Sequence, residues 1–150
     1  MTFVINFFPI RKAKNMEYKV EHIGIAVKSF SQSIPLFEKL FNSPCYKTES
    51  VDSEGVNTAF FLNNQTKIEL LESQSPGGVI DKFIEKRGEG MHHIAFEVAD
   101  IHAEMQRLKN EGFTLLNDTP KQGADNKLVC FVHPKDTNGV LIELCQAIKQ

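Results

Sequence analysis

This chain of 150 residues has few cysteines, no large excess of positive or negative charge and no long apolar run. Its three cysteines are odd in number and show no CxxC spacing, which argues against a disulfide framework and favours a reducing compartment. Its 17 basic residues nearly balance its 19 acidic ones, so it lacks the positive surplus expected for binding nucleic acid or an anionic membrane. No run reaches the roughly 18 apolar residues of a membrane span. Nucleic acid and membrane are therefore not expected partners.

The N-terminal segment differs in composition from the rest of the chain. It is apolar at first, and its positive charges follow the apolar stretch, the reverse of a secretory signal. No acidic residue precedes Glu17, so a transit peptide is one alternative, and translation from Met16 is another. We predict a disordered tail at residues 1–17 and one domain at residues 18–150. The expected location is cytoplasmic, or mitochondrial if the tail is a transit peptide.

The chain contains an internal repeat. The motif HIGIAV, which begins at His22, returns as HIAFEV at His93, 71 residues later. The motif IEL at residues 68–70 returns 74 residues later, in the same order. Two motifs that recur at nearly the same interval predict two modules of similar structure. The predicted modules span residues 18–75 and 89–148.

Each module has the pattern of one strand, one helix and three further strands, which is an α+β class. The repeated motif alternates as a strand does, and residues 31–41 have helical spacing. Ser31 or Ser33 is the predicted helix cap, with Pro35 in the first turn. Asp100 caps the second helix, which Gly112 ends. A short helix ended by Gly88 is predicted between the modules. The other strands are predicted at residues 45–49, 56–62, 67–72, 115–119, 128–133 and 140–145.

Four potential metal ligands occupy matching positions in the two modules. Because side chains alternate across a strand, all four point away from their apolar neighbours. A two-fold relation between the modules would bring two imidazoles and two carboxylates together, a set suited to Co²⁺, Mn²⁺, Ni²⁺, Fe²⁺ or Zn²⁺. The alternatives are structural histidines and solvent-facing glutamates. His92 is expected on the opposite strand face. The four candidate ligands are His22, Glu69, His93 and Glu143.

Four segments of the chain resemble the vicinal oxygen chelate superfamily and, within it, the methylmalonyl-CoA epimerases. They are VEHIGIAV, TKIELLES, GEGMHHIAFEV and HPKDTNGVLIELCQ, and the resemblance covers residues 18–148. It implies paired βαβββ modules that form a cupped mixed sheet around one divalent ion, with Co²⁺ favoured over Mn²⁺, Ni²⁺ or Zn²⁺. It also implies a homodimer and methylmalonyl-CoA as the substrate. The implied metal ligands are the same four residues, His22, Glu69, His93 and Glu143.

The implied reaction removes a proton from C2 of the substrate and returns it to either face, which two acid–base groups accomplish most simply. Glu143 is a candidate base as well as a ligand. A glutamate proposed as a base in some members aligns near Thr58, so the second group stays unassigned, and Glu97 is a possible substitute. Lys135 and Lys121 are candidates for binding the phosphates of CoA.

Three rival functions share this fold. A glyoxalase I-type lyase uses similar ligands, but TKIELLE and HPKDTNGVLIEL favour the epimerases. A ring-cleaving dioxygenase more often uses two histidines and one carboxylate at iron. A metal-free drug-binding resistance protein would not need all four ligand types.

Overall fold

The computed structural model describes residues 18–149. The predicted tail at residues 1–17 lies outside these described residues, so it stays a prediction. Across the part of the chain that is described, no helix combines the length and the apolar character needed to cross a membrane.

Both modules have the predicted order of one strand, one helix and three strands. The first consists of β1 (Lys19–Ala26), α1 (Phe30–Phe41), β2 (Lys47–Val51), β3 (Val56–Asn63) and β4 (Thr66–Ser73). After the linking helix α2 (Val79–Arg87), the second consists of β5 (Gly90–Glu97), α3 (Ile101–Asn110), β6 (Lys121–Gln122), β7 (Lys127–Val132) and β8 (Ile142–Ala147). A short 3-10 helix (Pro134–Asp136) lies between β7 and β8.

All eight strands form one mixed sheet in the order β2-β3-β4-β1-β5-β8-β7-β6. The two central strands, β1 and β5, run antiparallel, and each is parallel to the last strand of its own module. The order of the first half is therefore mirrored in the second half. A pseudo-two-fold axis passes between β1 and β5, as the internal repeat predicts.

Helices α1 and α3 cover one face of this sheet. Side chains of α1, including Ile34, pack on Phe61 and Leu70 of the first module. Side chains of α3, including Met105, pack on Leu144 of the second module. Burial of each such side chain stabilises the fold by about 1.5–3 kcal/mol. Because both long helices lie on one face, the opposite face is left open across the centre of the sheet.

The linking helix α2 covers one end of the open face. Its Ile80 is buried against Ala26, Val56 and Leu71, whose side chains point to the side opposite α1. The predicted helix end at Gly88 is confirmed, since this residue has a φ of 78°. The open face is thus apolar near α2 and polar near the centre of the sheet.

Helix α1 begins one residue before the predicted range, at Phe30, and its predicted cap is wrong. Ser29, rather than Ser31 or Ser33, is the capping residue, and its carbonyl accepts from Ser33 N at 3.0 Å. Pro35 therefore lies in the second turn instead of the first. The side chain of Ser29 makes no capping bond, and Phe30 N donates to the Glu72 carboxylate at 3.1 Å instead. This cap comes from a distant strand, which local sequence does not indicate.

The predicted strand at residues 115–119 is also wrong. Only Leu115 forms a bridge there, to Val132. Two backbone hydrogen bonds flank this bridge, and then the Asn117 side chain accepts from Phe131 N at 3.2 Å, so a side-chain amide takes the place of the next backbone bond. The second helix matches its prediction, since Asp100 accepts from Ala103 N at 3.0 Å. The residue that ends it, Gly112, has a φ of 92°.

Candidate active site

The four predicted ligands converge in one cavity on the open face of the sheet. The cavity has a volume of about 250 Å³ and is lined by strands of both modules. The ligands come from the four central strands, β4, β1, β5 and β8, and each is at most 6% exposed. The repeat therefore brings together the side chains that it marked, His22, Glu69, His93 and Glu143.

The ligand atoms are spaced as they would be around one ion. The Nε2 atoms of His22 and His93 lie 2.9 Å apart. Glu69 Oε2 lies 3.2 Å from His22 Nε2 and 3.4 Å from His93 Nε2, and the ligand atoms of this trio all lie within 4.8 Å of one another. Glu143 lies at the edge of the trio, with Oε2 3.3 Å from His93 Nε2 and 3.8 Å from His22 Nε2.

These distances and the kinds of atom fit a divalent transition metal. Suppose that two ligand atoms each bind one ion at about 2.1 Å. If the ligand–metal–ligand angle lies between a right angle and the tetrahedral angle, the two ligand atoms lie about 3.0–3.4 Å apart. Most of the measured separations fall close to that range. Two imidazoles and two carboxylates suit a borderline ion, and four protein ligands leave two positions of an octahedron for a substrate. The buried trio His22, Glu69 and His93 can thus hold a metal ion, with Glu143 beside it.

Charge and hydrogen bonds hold the cluster together. Burial opposes the charged form of His22, but the hydrogen bonds that its ring donates to Glu21 and Glu69 outweigh burial and raise the pKa of His22 to about 10. Burial likewise opposes the charge of Glu69, but hydrogen bonds from both histidines lower its pKa to about 2. Burial raises the pKa of Glu143. His22 therefore carries a proton near neutral pH, which a metal ion must displace.

Three other predicted site residues lie outside the cavity lining. Glu97 lies at the end of β5 with its carboxylate 3.9 Å from Lys19 Nζ, and its side chain is 42% exposed. Lys121, in β6, and Lys135, in the 3-10 helix, are both exposed. The structure does not bring Glu97 to the metal ligands, although it shares a strand with His93. The two lysines are left as surface cations of the second module.

His92 was predicted on the opposite strand face, and this is wrong. The pairing of β1 with β5 shifts register between Gly24 and Ile25, so that His92 is an extra residue in β5. The resulting bulge turns the His92 ring into the cavity. Glu21 is likewise the extra residue where the register shifts between Val20 and His22. Sequence alternation missed both residues, because it assumes regular strands.

A chain of partly buried charges holds Glu21 in place. Lys67 Nζ contacts Glu21 Oε1 and also lies 2.5 Å from Asp125 Oδ2. Lys127 Nζ lies 3.8 Å from Glu21 Oε1, and its side chain is 12% exposed. Burial opposes the charge of Glu21, but hydrogen bonds from His22 and Lys67 outweigh it and lower the pKa of Glu21 to about 2. Glu21 is therefore ionised at every pH at which the protein would be assayed.

Glu54 is another carboxylate in the cavity lining that sequence reasoning missed. It lies in the turn between β2 and β3 and is half-buried at the cavity edge. Among residues 18–149 its carboxylate has no hydrogen bond or ion pair, whereas those of Glu21 and Asp125 are both paired. No motif marked it, because a lone glutamate in a turn is common.

Comparison with known proteins agrees with this geometry. Residues 21–131 match the family described as the Glyoxalase/Bleomycin resistance protein/Dioxygenase superfamily. The uncharacterized protein YqjC of Bacillus subtilis is 37% identical over 128 residues, 85% of this chain and 91% of that protein. The mitochondrial methylmalonyl-CoA epimerase of Dictyostelium discoideum is 38% identical over 127 residues, 84% of this chain and 76% of that protein.

A solved structure shares both fold and sequence with this chain. It is a variant of the Streptomyces coelicolor methylmalonyl-CoA epimerase in complex with 2-nitronate-propionyl-CoA. The TM-score is 0.82 at 31% identity, over 86% of this chain and 94% of that one. The eight-stranded mixed sheet thus has the fold that the resemblance implied. The chain therefore belongs to the glyoxalase/bleomycin resistance protein/dioxygenase superfamily and, within it, to the methylmalonyl-CoA epimerase family of isomerases.

Proposed function

We propose that this chain interconverts (R)- and (S)-methylmalonyl-CoA by removing and returning the C2 proton with the help of one divalent metal ion. The observation that carries the proposal is the buried cluster of His22, Glu69 and His93, with Glu143 beside it, in the lining of the cavity. The epimerases of Dictyostelium discoideum and Streptomyces coelicolor supply the substrate, since both are named for methylmalonyl-CoA and the second is solved with a CoA ligand.

We propose Co²⁺ as the metal, with Mn²⁺, Ni²⁺ and Zn²⁺ as alternatives. Held by His22, Glu69, His93 and Glu143, the ion would supply Lewis-acid stabilisation of the negative charge that develops on the thioester oxygen when C2 loses its proton. The buried walls around these ligands keep water away from that charge.

Glu143 is the first acid–base group of the proposal. It is 5% exposed, projects from β8 into the cavity and lies next to both histidines. A carboxylate in this position can take the C2 proton of a substrate that occupies the cavity. Its oxygen that does not bind the metal would hold the proton.

Glu54 is the second acid–base group of the proposal, in place of Glu97. Inversion at C2 needs a proton donor on the side of the carbon opposite Glu143. Of the cavity carboxylates outside the ligand set, Glu54 is the one left without a partner within residues 18–149. Its place at the edge of the cavity, in a turn of the first module, separates it from β8 in the second.

The CoA portion of the substrate must extend out of the cavity, because about 250 Å³ holds little more than the acyl group. We propose that Lys135 and Lys121 contact its phosphates at the protein surface. Both belong to the second module and are exposed, as cations that meet a flexible polyanion must be.

We also propose that the chain forms a homodimer in the cytoplasm. Leu36 and Leu40 lie one helical turn apart on the outer side of α1 and are 62% and 68% exposed, an apolar pair that a second subunit would cover. The free thiols of Cys45, Cys130 and Cys145 support a reducing compartment. Light scattering tests the dimer, and localisation of the full chain with and without residues 1–15 tests the compartment and the transit-peptide alternative.

A deuterium-exchange assay tests the proposed reaction directly. Protein loaded with Co²⁺ would be incubated with (R)-methylmalonyl-CoA in D₂O and followed by NMR, with an EDTA-treated sample as the control. We expect metal-dependent exchange at C2 together with loss of optical purity. Absence of exchange with Co²⁺, Mn²⁺, Ni²⁺ and Zn²⁺ would contradict the proposal, and turnover of a glutathione hemithioacetal instead would point to the glyoxalase alternative.

A further inference from the structure

The two ligand histidines are each contacted by the residue that precedes them in sequence. Glu21 Oε2 lies 2.5 Å from His22 Nδ1, and His92 Nδ1 lies 2.9 Å from His93 Nδ1. In both modules the contact reaches Nδ1, while the two Nε2 atoms face each other at 2.9 Å. The pseudo-two-fold arrangement therefore extends beyond the ligands to the groups behind them.

We infer that Glu21 and His92 are positioning residues, which fix the imidazoles of His22 and His93 with Nδ1 in a hydrogen bond and Nε2 turned to the metal. This inference rests on the metal site of the proposed function. A histidine that donates from Nδ1 has its lone pair on Nε2, so the hydrogen bond selects the tautomer that can bind metal there.

The strand bulges are what make this contact possible. In a regular strand, neighbouring side chains point to opposite faces, and position 21 could not reach the ring of position 22. The register shifts in the pairing of β1 with β5 add one residue beside each histidine. Each added residue, Glu21 or His92, thereby lies on the same side as the ligand that follows it. Each bulge thus interrupts the regular pairing of the sheet and places a hydrogen-bonding partner beside a metal ligand.

Both positioning residues are themselves held from behind. Glu21 uses its second carboxylate oxygen to accept from Lys67 Nζ, so neither oxygen is free to rotate away. The His92 ring packs edge-on against Phe83 of α2, with centroids 4.8 Å apart. The two groups differ in chemistry, a carboxylate in one module and a neutral ring nitrogen in the other, but each offers a lone pair to an Nδ1–H. His93 must then donate and His92 accept, since the reverse would leave the proton of His93 on Nε2.

Metal affinity measured without substrate tests the inference. The chain would be titrated calorimetrically with Co²⁺ alone, comparing Glu21→Leu and His92→Leu with the exposed controls Glu85→Leu and His102→Leu. We expect the first pair to bind Co²⁺ about 10–100-fold more weakly and the controls to match the unaltered chain. Glu21→Gln and His92→Gln, which keep an acceptor oxygen, should recover most of the loss. Equal affinity in the leucine variants and the unaltered chain would overturn the inference.

A second measurement needs no variant and so does not depend on how the variants fold. In the Zn²⁺-loaded chain labelled with ¹⁵N-histidine, we expect both ligand rings to carry a proton on Nδ1 and to bind through Nε2. Binding through Nδ1, or a proton on Nε2 of either ring, would overturn the inference. If the unaltered chain binds neither Co²⁺ nor Zn²⁺, the metal site of the proposed function fails, which is a different result from equal affinity in the variants.

Discussion

Gly24 and His93 are directly opposite each other in the antiparallel pair of β1 and β5, and the glycine leaves the space that the imidazole fills. A methyl group at position 24 would overlap the His93 ring. Across the same pair, His22 lies opposite the small, fully buried Ala95. Each ligand histidine thus has a small residue beside it on the neighbouring strand, so that two rings can meet at one point.

Gly24→Ala should therefore displace the His93 ring and weaken metal binding by at least about tenfold, in line with losses seen when ligand orientation is disturbed. Calorimetric titration with Co²⁺ measures this. The control is a double-mutant cycle, because Gly24→Ala should add little once His93→Ala has removed the ring. An undiminished affinity in Gly24→Ala would contradict the role given to the glycine.

His93→Ala should abolish the C2 exchange reaction while leaving the metal-free fold intact. The substitution removes a ligand from the centre of the cluster and also removes one imidazole from a crowded, polar region. Exchange in D₂O measures activity, and thermal unfolding in EDTA measures the fold. Full activity in this variant would disprove the metal-site assignment.

Metal binding should release about one proton per ion near pH 7.5. The raised pKa of His22, about 10, means that its ring is protonated in the metal-free chain, and Nε2 must lose that proton to bind. The apparent Kd for Co²⁺ should then fall about tenfold for each pH unit between about 6.5 and 8. Calorimetry in two buffers of different ionisation enthalpy counts the protons. A pH-independent Kd would show that His22 is neutral before the metal binds.

Glu54→Gln should slow epimerisation at least about a hundredfold, the lower range for losing a general acid–base group. One epimer should still exchange its C2 proton for deuterium in this variant, because Glu143 can remove the proton and return a deuteron to the same face. Polarimetry and NMR in D₂O separate inversion from exchange, and Glu111→Gln, an exposed carboxylate of α3's end, is the matched control. If Glu97→Gln loses inversion and Glu54→Gln does not, the second acid–base group is Glu97 rather than Glu54.

Lys135→Glu should raise the KM for methylmalonyl-CoA with little change in kcat, because it replaces attraction to the CoA phosphates by repulsion far from C2. Lys121→Glu should do the same, and Lys39→Glu on α1 provides a charge-matched control. Steady-state kinetics at low and moderate salt measure the effect. An unchanged KM in both variants would remove these lysines from the substrate site.

The repeat made the centre of the site predictable. The repeat identified two matching pairs, His22 with His93 and Glu69 with Glu143. Strand alternation puts all four side chains on one face, and the two-fold axis brings them together there. The βαβββ order of both modules was predictable because the repeat marks the first and the last strand of each module, and hydrophobic spacing indicates the elements between them.

What escaped prediction depends on contacts between distant segments. The bulges that turn Glu21 and His92 into the cavity arise only when β1 pairs with β5, so the sequence of either strand alone does not indicate them. Glu97 obeyed the alternation rule but lies where its strand leaves the cavity. Glu72 caps the start of α1, and the Asn117 side chain takes the place of a backbone bond to Phe131, where the predicted strand ends early.

The position of the ligands on four central strands gives the ion a mechanical role beside its chemical one. His22 and Glu143 are separated by most of the described chain, and an ion bound to both would close a very long loop. Cross-links of that kind restrict the unfolded chain more than the folded one. The three cysteines form no disulfide, so the metal would be the cross-link that joins the two modules. Removal of the metal should then lower the thermal unfolding temperature of the protein as well as abolish its activity.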